Sequence, residues 1–113
     1  MKFTNEKMYE SATVMERVEE TGLLGYAIAR NRRKLLDELP EYDKKRSEIV
    51  KKYGRDRGDG KVEIQDKAKF FNELEPYANL TVEVDVVTVP VEVFTSGNLT
   101  SQQMFVLDWM VAE

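Results

Sequence analysis

Carboxylates are the side chains of this sequence that could do chemistry, because the two residue types that dominate catalytic and metal sites are absent. The 113 residues include no histidine and no cysteine. This excludes the usual zinc sites, Cys–His and Ser–His nucleophilic pairs, and imidazole acid–base catalysis. A metal-dependent hydrolase would have to use scattered acids such as Asp56, Asp59 and Glu63. No catalytic motif surrounds them, so the sequence predicts a protein that is not an enzyme and uses no metal or cofactor.

Basic residues are concentrated in one segment of the chain. Residues 30–57 contain eleven lysines and arginines against six acids, a net charge of +5, whereas the remaining residues carry a net charge of −9. A basic segment of this kind can steer a protein towards nucleic acid. However, acids alternate with the bases at helical spacing and no aromatic residue alternates with them as a stacking platform, so packing beside acidic neighbours of the same fold is favoured. The alternative, nucleic-acid binding, would use Arg30, Arg33, Lys34, Lys44, Lys45 and Lys51.

The composition is that of one soluble domain spanning residues 1–113. Apolar residues make up 42% of the chain and charged residues 34%, which is typical of a globular protein rather than a disordered one. The amino-terminal residues lack the apolar run of a secretory signal, and no stretch is long enough to cross a membrane. Together with the absence of cysteine, this predicts a cytoplasmic protein that does not contact a membrane.

A long amphipathic stretch dominates the first half of the chain. Its apolar residues recur at spacings of three and four, which places them on one stripe of a helix over 23–53. Pro40 lacks an N–H group, so the helix either kinks there or ends near Leu39 and is followed by a second helix that begins with Pro40. The stripe keeps its phase across the proline, which favours a single helix kinked near Pro40. The stripe consists of Leu24, Ile28, Leu35, Leu39, Tyr42, Ile49 and Tyr53.

A first helix is expected to pair with this long helix. Thr4 can cap a helix over 4–20, and Gly22 and Gly25 loosen the chain where that helix ends. A short connection of this kind usually joins antiparallel neighbours. The sequence therefore predicts an antiparallel helical hairpin that buries the two apolar stripes against each other.

Short elements follow the long helix. Asp59 and Gly60 form a turn that leads into a strand over 61–64. Asp66 caps a helix over 66–75, which is expected to end near Pro76 because proline cannot donate a hydrogen bond within a helix. The short strand needs a partner, and the valine-rich stretch that follows is the expected one.

Valine dominates the stretch over 80–94, the strongest β signal in the sequence. The valines alternate on one face up to Val86 and in the other phase from Val87, which predicts strands separated by a bulge or meeting at a bend. Pro90 cannot donate to a ladder, so the half of the stretch that contains it is expected to be an edge strand or extended coil. A closing helix over 100–112 begins with a capping box between Thr100 and the third residue after it. The predicted fold class is therefore α+β: an antiparallel helical hairpin with a long kinked second helix, a small two- or three-stranded sheet and a C-terminal helix.

Two surfaces are candidates for contact with a partner protein. Trp109 lies off the apolar face of the last helix, where it would either meet a partner or lie over a strand of its own domain. The long helix outreaches the first one, so part of its stripe, including Leu39, Tyr42 and Ile49, would be available to a second copy or to another protein. The sequence thus predicts an interaction protein, with a homodimer as one form of that interaction.

Several segments of the chain also resemble one known family. They are Lys2-Phe3-Thr4-Asn5-Glu6, Ile28-Ala29-Arg30-Asn31 with Leu35, Arg46 to Tyr53-Gly54, Gly60-Lys61-Val62, the valine-rich stretch, and Leu99-Thr100 with Leu107 and Met110. These segments are similar to a domain-of-unknown-function family of small proteins from tailed phages and prophages of Gram-positive bacteria. The resemblance implies a protein of the bacterial host cytoplasm that acts by protein–protein contact, in assembly or in interference with a host protein, and it implies no catalytic activity. Asn31 is expected to form a hydrogen bond at the hairpin interface rather than to bind a ligand.

Overall fold

The computed structural model describes residues 1–58 and 60–112. This part of the chain contains six α-helices and two separate two-stranded antiparallel sheets, which confirms the predicted α+β class with small sheets. No helix within it is long and apolar enough to cross a membrane. The elements in chain order are β1 (Lys2–Thr4), α1 (Asn5–Met15), α2 (Gly22–Glu38), α3 (Pro40–Tyr53), β2 (Gly54–Asp56), β3 (Val62–Ile64), α4 (Lys67–Ala78), β4 (Thr81–Glu83), α5 (Val91–Thr95) and α6 (Ser101–Leu107), followed by a 3₁₀ turn (Asp108–Met110).

The helix α1 packs against α2 and the start of α3 in an antiparallel arrangement. Near the end of α1, Met15 borders the same small cavity as Ile28 of α2. Near its start, Glu6 accepts a hydrogen bond from Tyr42 of α3. The end of α1 therefore contacts the earlier residues of α2, and its start contacts the later residues of α3. This is the antiparallel order of the predicted helical hairpin. The buried apolar residues of the hairpin are Met8, Ala12, Met15, Leu24, Ala27, Ile28, Leu35, Leu39, Tyr42 and Ile49.

The first helix ends earlier than predicted, at Met15 rather than at Glu20. Its last turn tightens, because the N–H of Arg17 donates to the carbonyl of Val14 at 3.1 Å, a three-residue hydrogen bond of the kind that closes many helices. Glu20 lies outside the helix, and its carboxylate accepts a hydrogen bond from the backbone N–H of Asn98. A contact with a distant loop thus overrides the local helical preference of this segment.

The predicted continuous helix over 23–53 is corrected to two helices. α2 ends at Glu38 and α3 begins at Pro40, with Leu39 between them. The N–H of Leu39 donates to the carbonyl of Leu36 at 3.3 Å, and Pro40 has no N–H with which to continue the helical ladder. Pro40 is therefore the first residue of a new helix, a position that its fixed backbone angle suits. Both helices still bury their apolar stripe in one core.

A β-ribbon follows α3 directly. Its second strand, β3, lies within the predicted strand over 61–64, but it pairs with β2 and not with the valine-rich stretch. Gly58 and Gly60 have positive φ angles of 83° and 82° in the turn between the strands, a conformation that glycine adopts without strain. Asp59, the other residue of the predicted turn, lies outside the described residues.

The helix α4 begins as predicted and ends later than predicted. Asp66 caps it, because its carboxylate accepts a hydrogen bond from the N–H of Lys69 at 3.1 Å. The helix continues past Pro76 to Ala78. A proline in the last turn removes one helical hydrogen bond, whereas Ala78 is buried in the core. The predicted end near Pro76 is therefore wrong by one short turn.

The valine-rich stretch forms a strand over β4, and the predicted strands over 80–94 are wrong beyond Glu83. β4 pairs with β1, a strand that the sequence analysis does not predict. After β4, the backbone of the stretch finds hydrogen-bond partners in other elements. The N–H of Val84, for example, donates to the carbonyl of Met1 at 2.9 Å.

Asn31 of α2 supplies the next partner for this stretch. Its side chain is fully buried, with 0% of its surface exposed, and it pairs with both backbone groups of Val87. The amide Nδ2 donates to the Val87 carbonyl at 2.8 Å, and the Val87 N–H donates to Oδ1 at 2.7 Å. One amide side chain thus replaces the neighbouring strand of a sheet. The predicted hydrogen bond of Asn31 is confirmed, although it reaches the valine-rich stretch and not the hairpin interface.

The last part of the valine-rich stretch pairs with the C-terminal residues and then turns into a helix. The N–H of Val89 donates to the carbonyl of Met110, and the N–H of Ala112 donates to the carbonyl of Val89, both at 2.8 Å. Pro90 then caps α5, because its carbonyl accepts a hydrogen bond from the N–H of Val93 at 3.0 Å. Proline at this position suits a helix start better than a strand.

The closing helix α6 starts as predicted and is shorter than predicted. The capping box is complete, with hydrogen bonds in both directions between Thr100 and Gln103. The helix ends at Leu107 and continues as a 3₁₀ turn, not as an α-helix to residue 112. The backbone at Ala112 is committed to the valine-rich stretch, so it is unavailable to a helix.

Replacement of Asn31 by alanine is expected to lower the free energy of unfolding by about 2–4 kcal/mol, because it leaves both backbone groups of Val87 without partners and removes packed atoms. Asn98→Ala is the matched control, since that side chain is exposed, and it should cost less than about 0.5 kcal/mol. Urea unfolding followed by circular dichroism measures both. A loss below about 1 kcal/mol for Asn31→Ala would contradict the assigned role.

Candidate interaction site

The stripe residues predicted to contact a partner lie in the protein's own core. Leu39, Tyr42 and Ile49 expose 1%, 4% and 2% of their surfaces. A long helix covered by α1 alone would leave part of the stripe exposed, but α4 also packs along α3 and covers it. These three residues are therefore too deeply buried to contact a partner. The predicted homodimer through the stripe would need them on the surface, so the structure does not support it.

Trp109 also points into its own fold. Its indole Nε1 donates a hydrogen bond to Oγ of the buried Ser11 at 3.1 Å. Its ring meets Phe3 of β1 edge to face, with 4.9 Å between the ring centroids. Trp109 therefore lies over a strand of its own domain, which is the second of its two predicted positions.

The predicted basic contacts separate into two groups. Lys34 is held by Asp85, through the backbone carbonyl and the carboxylate. Lys45 forms an ion pair with Glu48 at 3.6 Å and lies over the ring of Tyr77. Four basic residues are exposed and form no ion pair with another described side chain, and they are Arg30, Arg33, Lys44 and Lys51.

The carboxylates proposed for a metal site have other roles in the β-ribbon. Asp56 accepts a hydrogen bond from the N–H of Gly58 at 2.8 Å, and Glu63 forms an ion pair with Arg57 at 3.9 Å. Asp59 lies outside the described residues. Within residues 1–58 and 60–112, no three metal-ligating side chains are grouped to hold a cation.

A groove between α1, α3 and α4 brings together residues that the sequence analysis does not connect. It has a volume of about 430 Å³, which is enough for an apolar side chain and its neighbours. Phe70, Leu74 and Ala78 of α4 are buried and form its apolar floor. The groove is lined by Glu6, Arg46, Phe70, Phe71, Leu74, Glu75, Ala78 and Asn79.

A polar and aromatic network fixes the wall of this groove on the side of α1. The hydroxyl of the buried Tyr42 donates a hydrogen bond to Oε2 of Glu6 at 2.9 Å. The ring of Tyr9 meets Tyr42 edge to face at 6.1 Å, and the guanidinium of Arg46 lies 4.5 Å above the ring of Tyr9. Burial first, and the adjacent Glu6 second, raise the pKa of Tyr42 well above its usual value of 10.0. Tyr42 therefore stays neutral and acts as a structural hydrogen-bond donor.

Phe71 stands at the open side of the groove. Its ring is 60% exposed and meets Phe70 edge to face at 5.2 Å. A signal for this exposure exists in the sequence, because the four-residue spacing of Phe70, Leu74 and Ala78 places them on one stripe of a helix. The adjacent Phe71 points about 100° away from that stripe. Buried Phe70 leaves Phe71 as an aromatic anchor on the surface.

Opposite charges complete the rim of the groove. Arg46 stands on α3 and Glu75 on α4. In the described part of the chain neither side chain forms an ion pair. The groove thus combines an apolar floor, an exposed aromatic ring and two charges of opposite sign that have no ion-pair partner among the described residues, a combination typical of protein-binding surfaces.

Comparison of the chain with protein-family models, with curated protein sequences and with solved structures finds no match. The resemblance to a phage and prophage family therefore stays a prediction.

The raised pKa of Tyr42 predicts a loss of stability in alkaline solution. A neutral tyrosine stabilises the fold fully below pH 10, and this contribution falls as the pH rises above 10, where the unfolded chain ionises first. Tyr42→Phe should be less stable than the native protein by about 1 kcal/mol at neutral pH, where its hydrogen bond is lost. Between pH 10 and about pH 11 this gap should shrink by roughly 1 kcal/mol.

Urea unfolding at a series of pH values measures the gap. Tyr26→Phe is the control, because Tyr26 is 58% exposed. A gap between native protein and Tyr42→Phe that stays constant up to pH 11 would show that Tyr42 ionises normally in the folded protein.

Proposed function

We propose that this chain is a non-enzymatic interaction protein that binds a partner protein through the groove between α1, α3 and α4. The observation that carries the proposal is Phe71, an aromatic ring exposed beside an apolar floor. Exposed aromatic anchors at the centre of a small apolar patch often supply most of the binding energy of a protein interface. The partner would present an apolar side chain to the floor, a base to Glu75 and an acid to Arg46.

A protein surface suits the groove better than a small metabolite does. The groove is open to solvent, because Phe71, Glu75 and Asn79 are all exposed at its rim. Sites for small molecules usually enclose most of the ligand. The residues present also favour binding over reaction, since Tyr42 is held neutral and Glu6 already accepts its hydrogen bond.

We also propose that this interaction takes place in a bacterial host cell that carries a phage or prophage. The resemblance to small proteins of tailed phages and prophages supports a role in assembly or in interference with a host protein. The absence of cysteine from the 113 residues is compatible with the bacterial cytoplasm, where thiols are kept reduced. A contact protein of this kind needs no catalytic group.

Nucleic-acid binding is the alternative function, and the exposed bases Arg30, Arg33, Lys44 and Lys51 favour it. Two arguments weigh against it. Lys34 and Lys45 are held by neighbouring acids, and exposed acids lie among the bases on the same two helices. Opposite charges at this spacing reduce the attraction for phosphate. Nucleic-acid binding is therefore treated as one possible result of the binding experiment below.

Site-specific photo-crosslinking tests the proposed function. A benzophenone amino acid is placed at Phe71 in one variant and at Phe105 in another, because Phe105 is 78% exposed and lies outside the groove. Crosslinking in a bacterial host should give a defined protein adduct from position 71 and none from position 105. The adduct is then identified by mass spectrometry and the partner is purified.

Binding of the purified partner completes the test. Phe71→Ala and Glu75→Arg should each weaken it at least about tenfold, the effect of losing about 1.4 kcal/mol. Phe105→Ala and Glu92→Arg, both at exposed positions outside the groove, should leave it unchanged. Equal affinity for all four variants would overturn the proposal. Salt-dependent binding of a short DNA duplex that Arg30→Gln and Arg33→Gln abolish would establish the alternative instead.

A further inference from the structure

We propose that the groove binds a second copy of this chain and forms a two-fold symmetric dimer. This inference rests on the proposed function, because it names the partner of the same groove. It replaces the dimer that the sequence predicts through the stripe of the long helix, which is buried.

The groove contains both a side chain that protrudes and a recess that could receive such a side chain. Phe71 is a protruding ring, and the floor formed by Leu74 and Ala78 lies beside it on the same helix. In a two-fold interface the same patch of both copies meets. If residue i of one copy contacts residue j of the other, then residue j of the first copy also contacts residue i of the second. The exposed ring of Phe71 from each copy can therefore lie in the groove of the other.

The charges of the rim follow the same rule. Arg46 and Glu75 lie on different helices at the rim, and among the described residues neither has an intramolecular ion pair. A two-fold axis through the groove pairs Arg46 of each copy with Glu75 of the other, twice in one dimer. Glu6 also lines the groove, but its carboxylate already accepts the hydrogen bond of Tyr42. Arg46 and Glu75 are therefore the two charges that can face each other across the axis, where opposite charges attract and like charges repel.

The small size of the groove sets the expected strength of the dimer. Eight residues line it, which is fewer than the 20–30 residues that a stable interface of standard size uses on each side. The dimer should therefore dissociate in the micromolar range, roughly 1–100 μM. Sedimentation equilibrium across this range of concentrations measures it.

Charge reversal provides the decisive experiment. Arg46→Glu and Glu75→Arg should each be monomeric, because each brings like charges together across the two-fold axis. An equimolar mixture of the two variants should form a dimer again, since every introduced charge then faces its opposite on the other chain. Recovery in the mixture identifies a second copy as the occupant, which no single variant can do.

Two further variants keep the test independent of folding. Phe71→Asp should abolish the dimer, and Phe105→Asp, at an even more exposed phenylalanine, should not. Thermal melts establish that each variant is folded, and Glu75→Arg is the safest because Glu75 is exposed.

The outcomes separate this inference from the proposed function. A native chain that is monomeric throughout the concentration range overturns the dimer, as does a dimer that survives Phe71→Asp. In either case the groove still serves as the proposed interaction site if the partner crosslinked at position 71 binds in a Glu75-dependent way. If that binding also fails, both proposals fall.

Discussion

The buried amide of Asn31 is the interaction on which the arrangement of this fold depends. It joins α2, at the centre of the helical hairpin, to the valine-rich stretch by two hydrogen bonds to Val87. That stretch links β4 and the end of α4 to the C-terminal residues through Val89. Loss of this amide would lower the free energy of unfolding, because each buried backbone group left without a hydrogen-bond partner costs about 1–3 kcal/mol. Asn31 thus helps to fix the helical half and the C-terminal half of the molecule relative to each other, together with the contacts of Trp109 with Ser11 and of Asn98 with Glu20.

The same interaction explains why the strongest β signal of the sequence is misleading. Alternating valines indicate a half-buried extended backbone, and the backbone between Val84 and Val89 does bury valines at both ends. A strand, however, also needs a neighbouring strand, and the periodicity of one segment contains no information about its neighbours. Here the partners are the amino terminus, a side chain and the C-terminal residues, all of them distant in sequence. Propensity predicts the strand at β4, but it misses the pairing of the residues that follow and the helix α5.

Local signals in the sequence proved sufficient where the physics is local. The helix starts capped by Thr4, Asp66 and Thr100 are all present, because a cap needs a hydroxyl or carboxylate and an N–H three residues away. Helix ends and exposed surfaces depend on tertiary contacts, so the end of α1 and the covering of the long stripe by α4 were not predictable. The groove escapes sequence analysis for the same reason, since Glu6, Arg46 and Phe71 come from three separate helices.

Hydrogen exchange at the backbone amide of Val87, measured by NMR on the native protein, tests most directly whether one side chain substitutes for a strand. Val87 lies in a segment without regular secondary structure, where an amide open to water exchanges rapidly. The pairing with Asn31 predicts that this amide exchanges about as slowly as the core of α2, through global unfolding. Rapid exchange at Val87, as in a mobile loop, would contradict the account of how the fold is held together.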